Sequence, residues 1–130
     1  MLKNQFNMIE KRIYYHDTDA GGVVYYANYL KYLEEDRTVY LEKRGISAHK
    51  DFLYAVRKCS LTYRAPARYG DTIICESKVK NTTAAQIVFE QIIKNKQTGQ
   101  VLVESEVTLV SLTLDFKPVA IPDNIKSRLQ

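Results

Sequence analysis

Residues 28–44 read NYLKYLEEDRTVYLEKR, a stretch without glycine or proline that is followed directly by Gly45. Its apolar residues recur at helical spacing, and Lys43 and Arg44 lie in the last turn, where the helix dipole favours cations. We therefore predict one long helix with Gly45 at its carboxyl-terminal cap. The predicted apolar stripe consists of Tyr26, Tyr29, Leu30, Leu33, Tyr40 and Leu41, and it continues through Asp36 and Arg37. Such a stripe is wide enough to pack on a sheet.

The sequence on both sides of this helix predicts β-strands. FNMIEKRIYY (6–15) is rich in aromatic and branched residues, and it runs into the polar loop HDTDAGG. After the helix, period-two patterns cover 55–66, 72–80, 84–95 and 101–116. The short connections ARYGD, NTT and KQTG between these four strands imply antiparallel neighbours. The tail PVAIPDNIKSRL predicts a short helix that begins near Pro122 and Asp123.

One strand, one long helix and four further strands predict the α+β class. The apolar face of an antiparallel sheet must be covered, and the long helix is the element available to cover it. This arrangement, about five strands wrapped around one long central helix, is the hotdog fold. A chain of 130 residues has room for one compact core. We therefore predict a single domain over 1–130.

Composition narrows the kinds of partner. The formal net charge is +4 and the pI is near 9.0, but basic and acidic residues are interleaved. This excess of positive charge is consistent with binding of a polyphosphate-bearing small molecule and equally with an ordinary protein surface. The sequence contains no motif that indicates nucleic-acid binding. No apolar run is long enough to span a bilayer, which predicts a cytoplasmic protein. The lone thiols Cys59 and Cys75 favour a reducing compartment and argue against a structural zinc site, and we predict neither metal nor cofactor.

The segment that carries chemistry is HDTDAGGVVYYANY (16–29), which places Asp17 and Asp19 in a glycine-containing loop ahead of the helix. Unpaired backbone N–H groups at a helix start carry partial positive charge and can polarise a carbonyl group. A carboxylate beside them can attack that carbonyl or activate water. The alternative is that both aspartates only bind local backbone amides in a turn.

The stretch YYHDTDAGGVVYYANYLKYLEEDRTVYLEKRGI (14–46) resembles the signature of the 4-hydroxybenzoyl-CoA thioesterase family, in its YbgC-like acyl-CoA thioesterase branch. Weaker similarity continues through YRAPARYGD (63–71) to the last strand. The resemblance implies a hotdog thioesterase that hydrolyses acyl-coenzyme A to a free acid and coenzyme A. It also implies a homo-oligomer, a dimer or a tetramer, with sites at the subunit interface.

The resemblance assigns roles to two residues of the loop. Asp19 matches the catalytic carboxylate of the family, either as nucleophile or as general base. Tyr26 matches the helix-start residue whose backbone amide holds the thioester oxygen, although the branch commonly has histidine there. His16 stands where the branch often has glutamate, and it is a reserve general base or a plain surface residue.

Two matched positions lie on the predicted helix. Glu34 and Arg37 match an ExxR pattern, and their spacing permits an ion pair on the sheet-facing side. Glu34 is also the reserve catalytic acid, because related hotdog thioesterases carry their acid on this helix. Asn28 either caps the helix, which we favour, or orients the Asp19 loop.

Coenzyme A recognition is expected from basic and small polar residues near the mouth of the cleft. The candidates are Arg64, Arg68, Lys78, Lys80, Thr82 and Thr83. Tyr25, Tyr29, Tyr32 and Phe52 could line an aliphatic or an aryl acyl pocket. Two other functions stay open: a non-catalytic acyl-CoA or acyl-carrier binding module, and a hotdog dehydratase, for which His16 and His49 are the only histidines.

Overall fold

The computed structural model describes residues 7–47 and 53–129. In chain order the elements are β1 (Asn7–Arg12), α1 (Asn28–Lys43), β2 (Leu53–Tyr63), β3 (Thr72–Thr82), β4 (Gln86–Asn95), β5 (Val101–Leu112) and α2 (Asp123–Leu129). A short 3₁₀ turn lies at Tyr15–Asp17. The order of strand, long helix, four strands and a short helix is the predicted one, and the α+β class is confirmed.

The long helix ends as its sequence predicts. Gly45 has φ 72°, a left-handed conformation that glycine adopts without a Cβ penalty. Its amide donates to the Glu42 carbonyl (3.0 Å), and the Ile46 amide donates to the Leu41 carbonyl (3.0 Å). These bonds satisfy carbonyl groups that the end of a helix would leave unpaired.

The sheet is antiparallel throughout, in the order β1-β3-β4-β5-β2. The hairpin neighbours β3–β4 and β4–β5 were predicted correctly, whereas the expected β2–β3 neighbours are wrong, because β2 pairs with β5. The reason lies in residues 64–71, which do not turn back as a hairpin. The Val24 amide donates to the Ala67 carbonyl (2.8 Å), and the Gly70 amide donates to the Ile13 carbonyl (2.9 Å). This connection therefore crosses the end of the sheet and packs on the chain that precedes α1.

The sheet wraps around α1 and buries one side of it. Tyr29, Tyr32, Leu33, Tyr40 and Leu41 of the helix are buried. The predicted stripe is wrong at two positions, since Tyr26 is 63% and Leu30 is 47% exposed. Tyr26 precedes the first helical residue and Leu30 lies on the exposed side of the helix, whereas Tyr32, which was not in the predicted stripe, is buried.

Charged and polar side chains also enter the interior between helix and sheet. Asp36 and Arg37 are buried on α1, as the predicted stripe implied. Arg37 donates to Gln91 Oε1 on β4 (2.9 Å), and Gln91 Nε2 donates to the Leu33 carbonyl (2.9 Å). No helix in the described ranges 7–47 and 53–129 is long and apolar enough to cross a membrane.

Candidate active site

The loop between β1 and α1 folds back on itself, and backbone hydrogen bonds between its two sides form a short ladder. The Tyr25 amide donates to the Asp17 carbonyl (3.0 Å), and the Asp19 amide donates to the Val23 carbonyl (2.9 Å). A further bridge pairs Thr18 with Val24. Residues 19–23 are therefore a tight turn whose base, the Asp19–Val23 pair, lies five residues before α1 begins at Asn28.

Glycines close this turn for two different reasons. Gly22 has φ 79°, and its amide donates to the Asp19 carbonyl (3.0 Å). Gly21 donates its amide to Asp19 Oδ1 (2.8 Å), and a Cβ at position 21 would lie 3.2 Å from that same oxygen. The pair of glycines thus holds the Asp19 carboxylate close over its own turn.

The two aspartates of the loop have different surroundings. Asp19 is exposed. Asp17 is 5% exposed, and its carboxylate accepts from the Tyr14 amide (2.9 Å) and the Tyr32 hydroxyl (2.7 Å). Burial alone would raise the pKa of Asp17, but these two donors, with His16 and Lys11 nearby, lower it below its usual value. Asp17 is therefore an internal anion, whereas Asp19 faces outward.

The Tyr26 amide lies two residues before α1, at the end of this loop. The Asn28 amide donates to the Tyr25 carbonyl (2.8 Å), and the Tyr26 carbonyl accepts from the Tyr63 hydroxyl (3.2 Å). The Tyr26 amide has no acceptor in the part of the chain that the structure describes. Such an N–H can bind an oxyanion without first losing a protein partner.

Aromatic rings surround the helix start. The Tyr63 ring packs edge-on against Tyr26 (centroids 6.3 Å apart) and at a tilt against Tyr29 (5.7 Å). Tyr25 and Tyr26 are themselves 5.1 Å apart and exposed. Of the aromatic residues expected near an acyl pocket, Tyr25 is exposed, Tyr29 and Tyr32 are buried, and Phe52 lies outside the described residues.

Asn28 does not cap the helix, so the favoured expectation is wrong. The residue at the cap position is Ala27, and its side chain makes no capping bond. Asn28 Nδ2 instead donates to the Asp17 carbonyl (2.9 Å), which ties the helix to the loop. The alternative expectation, that Asn28 orients the loop, describes this contact.

His16 stands at the edge of the loop. Its side chain is 81% exposed, and its Nδ1 lies 3.9 Å from Asp17 Oδ1. Its ring stacks on Tyr14 with centroids 6.1 Å apart. These contacts are those of a surface residue. His49 lies outside the described residues.

The expected ion pair between Glu34 and Arg37 does not form. Glu34 is exposed and accepts from the Thr38 hydroxyl, while Arg37 turns inward to Gln91. Glu34 and Arg37 are close to one helical turn apart, but the edge of the buried side of α1 lies between them. Glu34 therefore faces solvent and Arg37 faces the sheet. Glu34 lines a groove of about 390 Å³ between α1 and β2, together with Tyr54 and Val56.

The six expected coenzyme A contacts fall into separate places. Arg68 lies beside the loop, where its backbone forms an antiparallel β-bridge with Val23. Its guanidinium has no hydrogen-bond or ion-pair partner among residues 7–47 and 53–129. The other three basic residues are paired: Arg64 with Glu104 (3.0 Å), Lys78 with Glu90 (3.7 Å) and Lys80 with Glu106 (2.8 Å). Thr72 is at one end of β3 and pairs with Arg12, just before the loop. Thr82 and Thr83 lie at the other end of this strand. Within one chain, therefore, Arg68 is brought to the loop and the threonines are not.

Two side chains of the site had no role in the sequence-based prediction. Asp17 was considered only as a turn residue, and Tyr32 only as a possible pocket aromatic. Their hydrogen bond joins residues 15 positions apart, and no local pattern indicates such a pair. In the described ranges no group of three or more His, Cys, Asp or Glu side chains could hold a metal ion.

A five-stranded antiparallel sheet wrapped around a helix, with an acidic loop folded against the start of that helix, defines the hotdog class of α+β proteins. The model of the thioesterase-like superfamily matches residues 14–129. The chain belongs to the thioesterase-like superfamily, in its YbgC branch.

Two relatives illustrate this membership, and one solved structure illustrates the fold. The acyl-CoA thioester hydrolase YbgC of Escherichia coli O157:H7 is 37% identical over 119 residues, which cover 88% of each chain. The acyl-CoA thioesterase YbgC of Haemophilus influenzae is 33% identical over 135 residues, covering 98% of this chain and 96% of the relative. The structure of 4-hydroxybenzoyl-CoA thioesterase from Pseudomonas sp. strain CBS-3 superposes with a TM-score of 0.88 at 18% identity, over 95% of this chain and 99% of that one. The last comparison bears on the fold.

Proposed function

We propose that this protein hydrolyses the thioester of an acyl-coenzyme A to a free acid and coenzyme A, with Asp19 as catalytic carboxylate. The observation that carries the proposal is the exposed Asp19 on a turn bonded to the start of α1, in a loop whose rung between Asp17 and Tyr25 directly precedes the Tyr26 amide, which has no acceptor among residues 7–47 and 53–129. The names of the YbgC relatives support the reaction. The acyl group is aliphatic or aryl, and the chain forms one domain over 1–130.

The reaction needs two groups from the chain. The thioester oxygen accepts a hydrogen bond from the Tyr26 amide, which stabilises the negative charge that develops as the carbonyl carbon is attacked. Asp19 either attacks this carbon directly, expelling the coenzyme A thiolate and leaving an anhydride for water to hydrolyse, or removes a proton from an attacking water. In both routes one water is consumed and one thiol is released.

Arg68 is the proposed contact to the coenzyme A phosphates. It is exposed beside the loop and is not neutralised by a neighbouring carboxylate in the described ranges, unlike Arg64, Lys78 and Lys80. A guanidinium suits phosphate because its N–H groups match the phosphate oxygens in pairs. Lys78, Lys80, Thr82 and Thr83 remain weaker candidates in the assembled protein.

A homo-oligomer, a dimer or a tetramer, is part of this proposal. β2 is an edge strand that pairs only with β5 in the described residues, and natural proteins commonly cover or pair a long exposed edge. The exposed rings of Tyr25, Tyr26 and Tyr63 beside the loop support a subunit contact there. Light scattering of the purified protein measures the number of subunits. A cytoplasmic location also remains a prediction.

The experiment is the rate of free-thiol release from a panel of aliphatic and aryl coenzyme A thioesters. Wild type is compared with Asp19→Asn, and Asp115→Asn is the matched control, because Asp115 is equally an exposed aspartate but lies after β5. We expect Asp19→Asn to lose at least about a hundredfold in kcat, as removal of a nucleophile or general base causes. Asp115→Asn is expected to match wild type.

Other outcomes identify the alternatives. Equal turnover by wild type and Asp19→Asn moves the catalytic carboxylate elsewhere, and Glu34 is then tested next. Binding of an acyl-CoA without thiol release favours a binding module, and an unsaturated acyl thioester as product favours a dehydratase. The best substrate of the panel identifies the acyl class.

A further inference from the structure

Asp17 connects more parts of the site than any other residue of the loop. Its carboxylate accepts from the Tyr14 amide at 2.9 Å and from the Tyr32 hydroxyl at 2.7 Å. Its backbone carbonyl accepts from Asn28 Nδ2 at 2.9 Å and from the Tyr25 amide at 3.0 Å. One residue is therefore bonded to Tyr14 just after β1, to Tyr25 just before Tyr26, and to two positions on α1.

These bonds fix where Asp19 lies relative to the start of α1. Asp19 follows Asp17 by two residues in a ladder whose rungs are 17 with 25 and 19 with 23. The first rung, between Asp17 and Tyr25, holds the residue directly before Tyr26 and so restrains the position of the Tyr26 amide. Rotation of the ladder about this rung is opposed by the Tyr32 hydroxyl and the Asn28 amide group, which both come from the rigid helix.

We infer that Asp17 and Tyr32 are positioning residues, which hold the Asp19 carboxylate at its working distance from the Tyr26 amide. The inference rests on the proposed role of Asp19. Catalytic groups need to be held within a fraction of an ångström, and supporting hydrogen bonds from rigid elements provide this precision. Asp17 is buried and its carboxylate oxygens are bonded to Tyr14 and Tyr32, so we assign it an action through the loop and not on the thioester itself.

The surroundings of Asp17 suit this role and not that of a second catalytic acid. The Tyr32 hydroxyl is buried, and the pKa of Tyr32 is raised by burial and by the Asp17 charge. The pKa of Asp17 is lowered, although burial opposes this, because the Tyr14 amide and the Tyr32 hydroxyl stabilise its charged form. These opposite shifts keep Asp17 ionised and the Tyr32 hydroxyl protonated across the neutral range, so titration does not break the hydrogen bond between them.

The test compares Tyr32→Phe with Tyr40→Phe. Tyr40 is also a buried tyrosine of α1, and its hydroxyl donates to the Leu129 carbonyl (2.7 Å) at the other end of the helix. Each variant removes one buried, hydrogen-bonded hydroxyl from the same helix. The readouts are kcat and KM for the best thioester of the panel, at a temperature where circular dichroism shows each variant fully folded.

We expect Tyr32→Phe to lower kcat about tenfold with KM changed less than about threefold, because a misplaced carboxylate affects the chemical step rather than binding. Tyr40→Phe is expected to keep kcat within about twofold. Asp17→Ala is expected to lower kcat about a hundredfold, and Asp17→Asn to keep more of it, since the amide oxygen still accepts from the Tyr14 amide.

The outcomes separate this inference from the proposed function. If Asp19→Asn is inactive but Tyr32→Phe keeps the kcat of wild type, the positioning inference is overturned and the role of Asp19 stands. An equal loss of kcat in Tyr32→Phe and Tyr40→Phe also overturns it, because the effect is then a general one of helix stability. If Asp19→Asn turns over like wild type, both the catalytic assignment and the inference fail.

Discussion

Asp36 offers a sharp test of how burial controls a charge in this fold. Its side chain is 0% exposed between α1 and the sheet. Oδ1 accepts from Asn7 Nδ2 on β1 (2.7 Å), whereas Oδ2 has no hydrogen-bond partner in the described residues. Ser77 Oγ on β3 is near enough to lower the pKa of Asp36, but it too lacks a well-formed bond. Burial nevertheless dominates, and it raises the pKa of Asp36 to about 6.

This raised pKa predicts that stability falls as pH increases through the range from about 4 to about 6. In that range the folded protein keeps a proton on Asp36 that the unfolded chain has already released, so a rise in pH favours unfolding. A shift from 3.8 to about 6, at about 1.4 kcal/mol for each pH unit, corresponds to about 3 kcal/mol above pH 7. Relaxation around a buried charge reduces this figure, and we expect about 1 to 3 kcal/mol.

Asp36→Asn removes the charge and keeps the shape. Its amide oxygen can still accept from Asn7, and its NH₂ group can donate to Ser77 Oγ. We therefore expect the variant to be about 1 to 3 kcal/mol more stable than wild type at pH 7.5 and about equal at pH 4. Glu35→Gln is the matched control, since Glu35 is the exposed neighbour and its ion pair with Lys11 is long (3.9 Å).

The assay is urea unfolding followed by circular dichroism at pH 4, 5, 6 and 7.5, at one protein concentration so that any subunit association stays constant. The difference between Asp36→Asn and wild type is expected to grow with pH, and that of Glu35→Gln is expected to stay small. If Asp36→Asn destabilises the protein by the same amount at every pH, the carboxylate is ionised and well solvated in the folded state. The reasoning from burial would then be refuted.

Three further predictions concern the loop and a buried thiol. Gly21→Ala should lower kcat about tenfold or more, because its Cβ would lie 3.2 Å from Asp19 Oδ1 and displace the carboxylate, and steady-state kinetics on the folded variant checks this. Arg68→Gln should raise KM for acyl-CoA several-fold with little change in kcat, whereas Arg64→Gln, whose arginine is already paired, should not; equal effects would contradict the phosphate assignment. Buried Cys75 should react with iodoacetamide only after unfolding, as peptide mass spectrometry would show.

The sequence was informative where short-range rules apply. The helix was predicted at 28–44 and lies at Asn28–Lys43, because its periodicity and Gly45 are local signals. The loop with Asp19 was correctly predicted to lie just before the helix for the same reason. Asn28 was misassigned as a cap because capping is the common local role of asparagine, whereas its actual acceptor, the Asp17 carbonyl, is 11 residues away.

The pairings across the fold could not be predicted in this way. The i,i+3 spacing of Glu34 and Arg37 permits an ion pair on any isolated helix, but Gln91 on β4 competes for the arginine in the interior. Likewise, a short connection suggested a β2–β3 hairpin, and only the packing of residues 64–71 against the chain before α1 explains why β2 lies at the other edge.

The sequence by itself therefore determined the elements, their order, the α+β class and the loop that carries the exposed carboxylate. Each of these follows from residues within about one helical turn or one β-turn of each other, where periodicity and turn chemistry act. The tertiary structure decided which aspartate is buried, which tyrosine holds it and which basic residue lies beside the loop. These choices depend on contacts between residues far apart in the chain, and such contacts exist only once the sheet has closed around the helix.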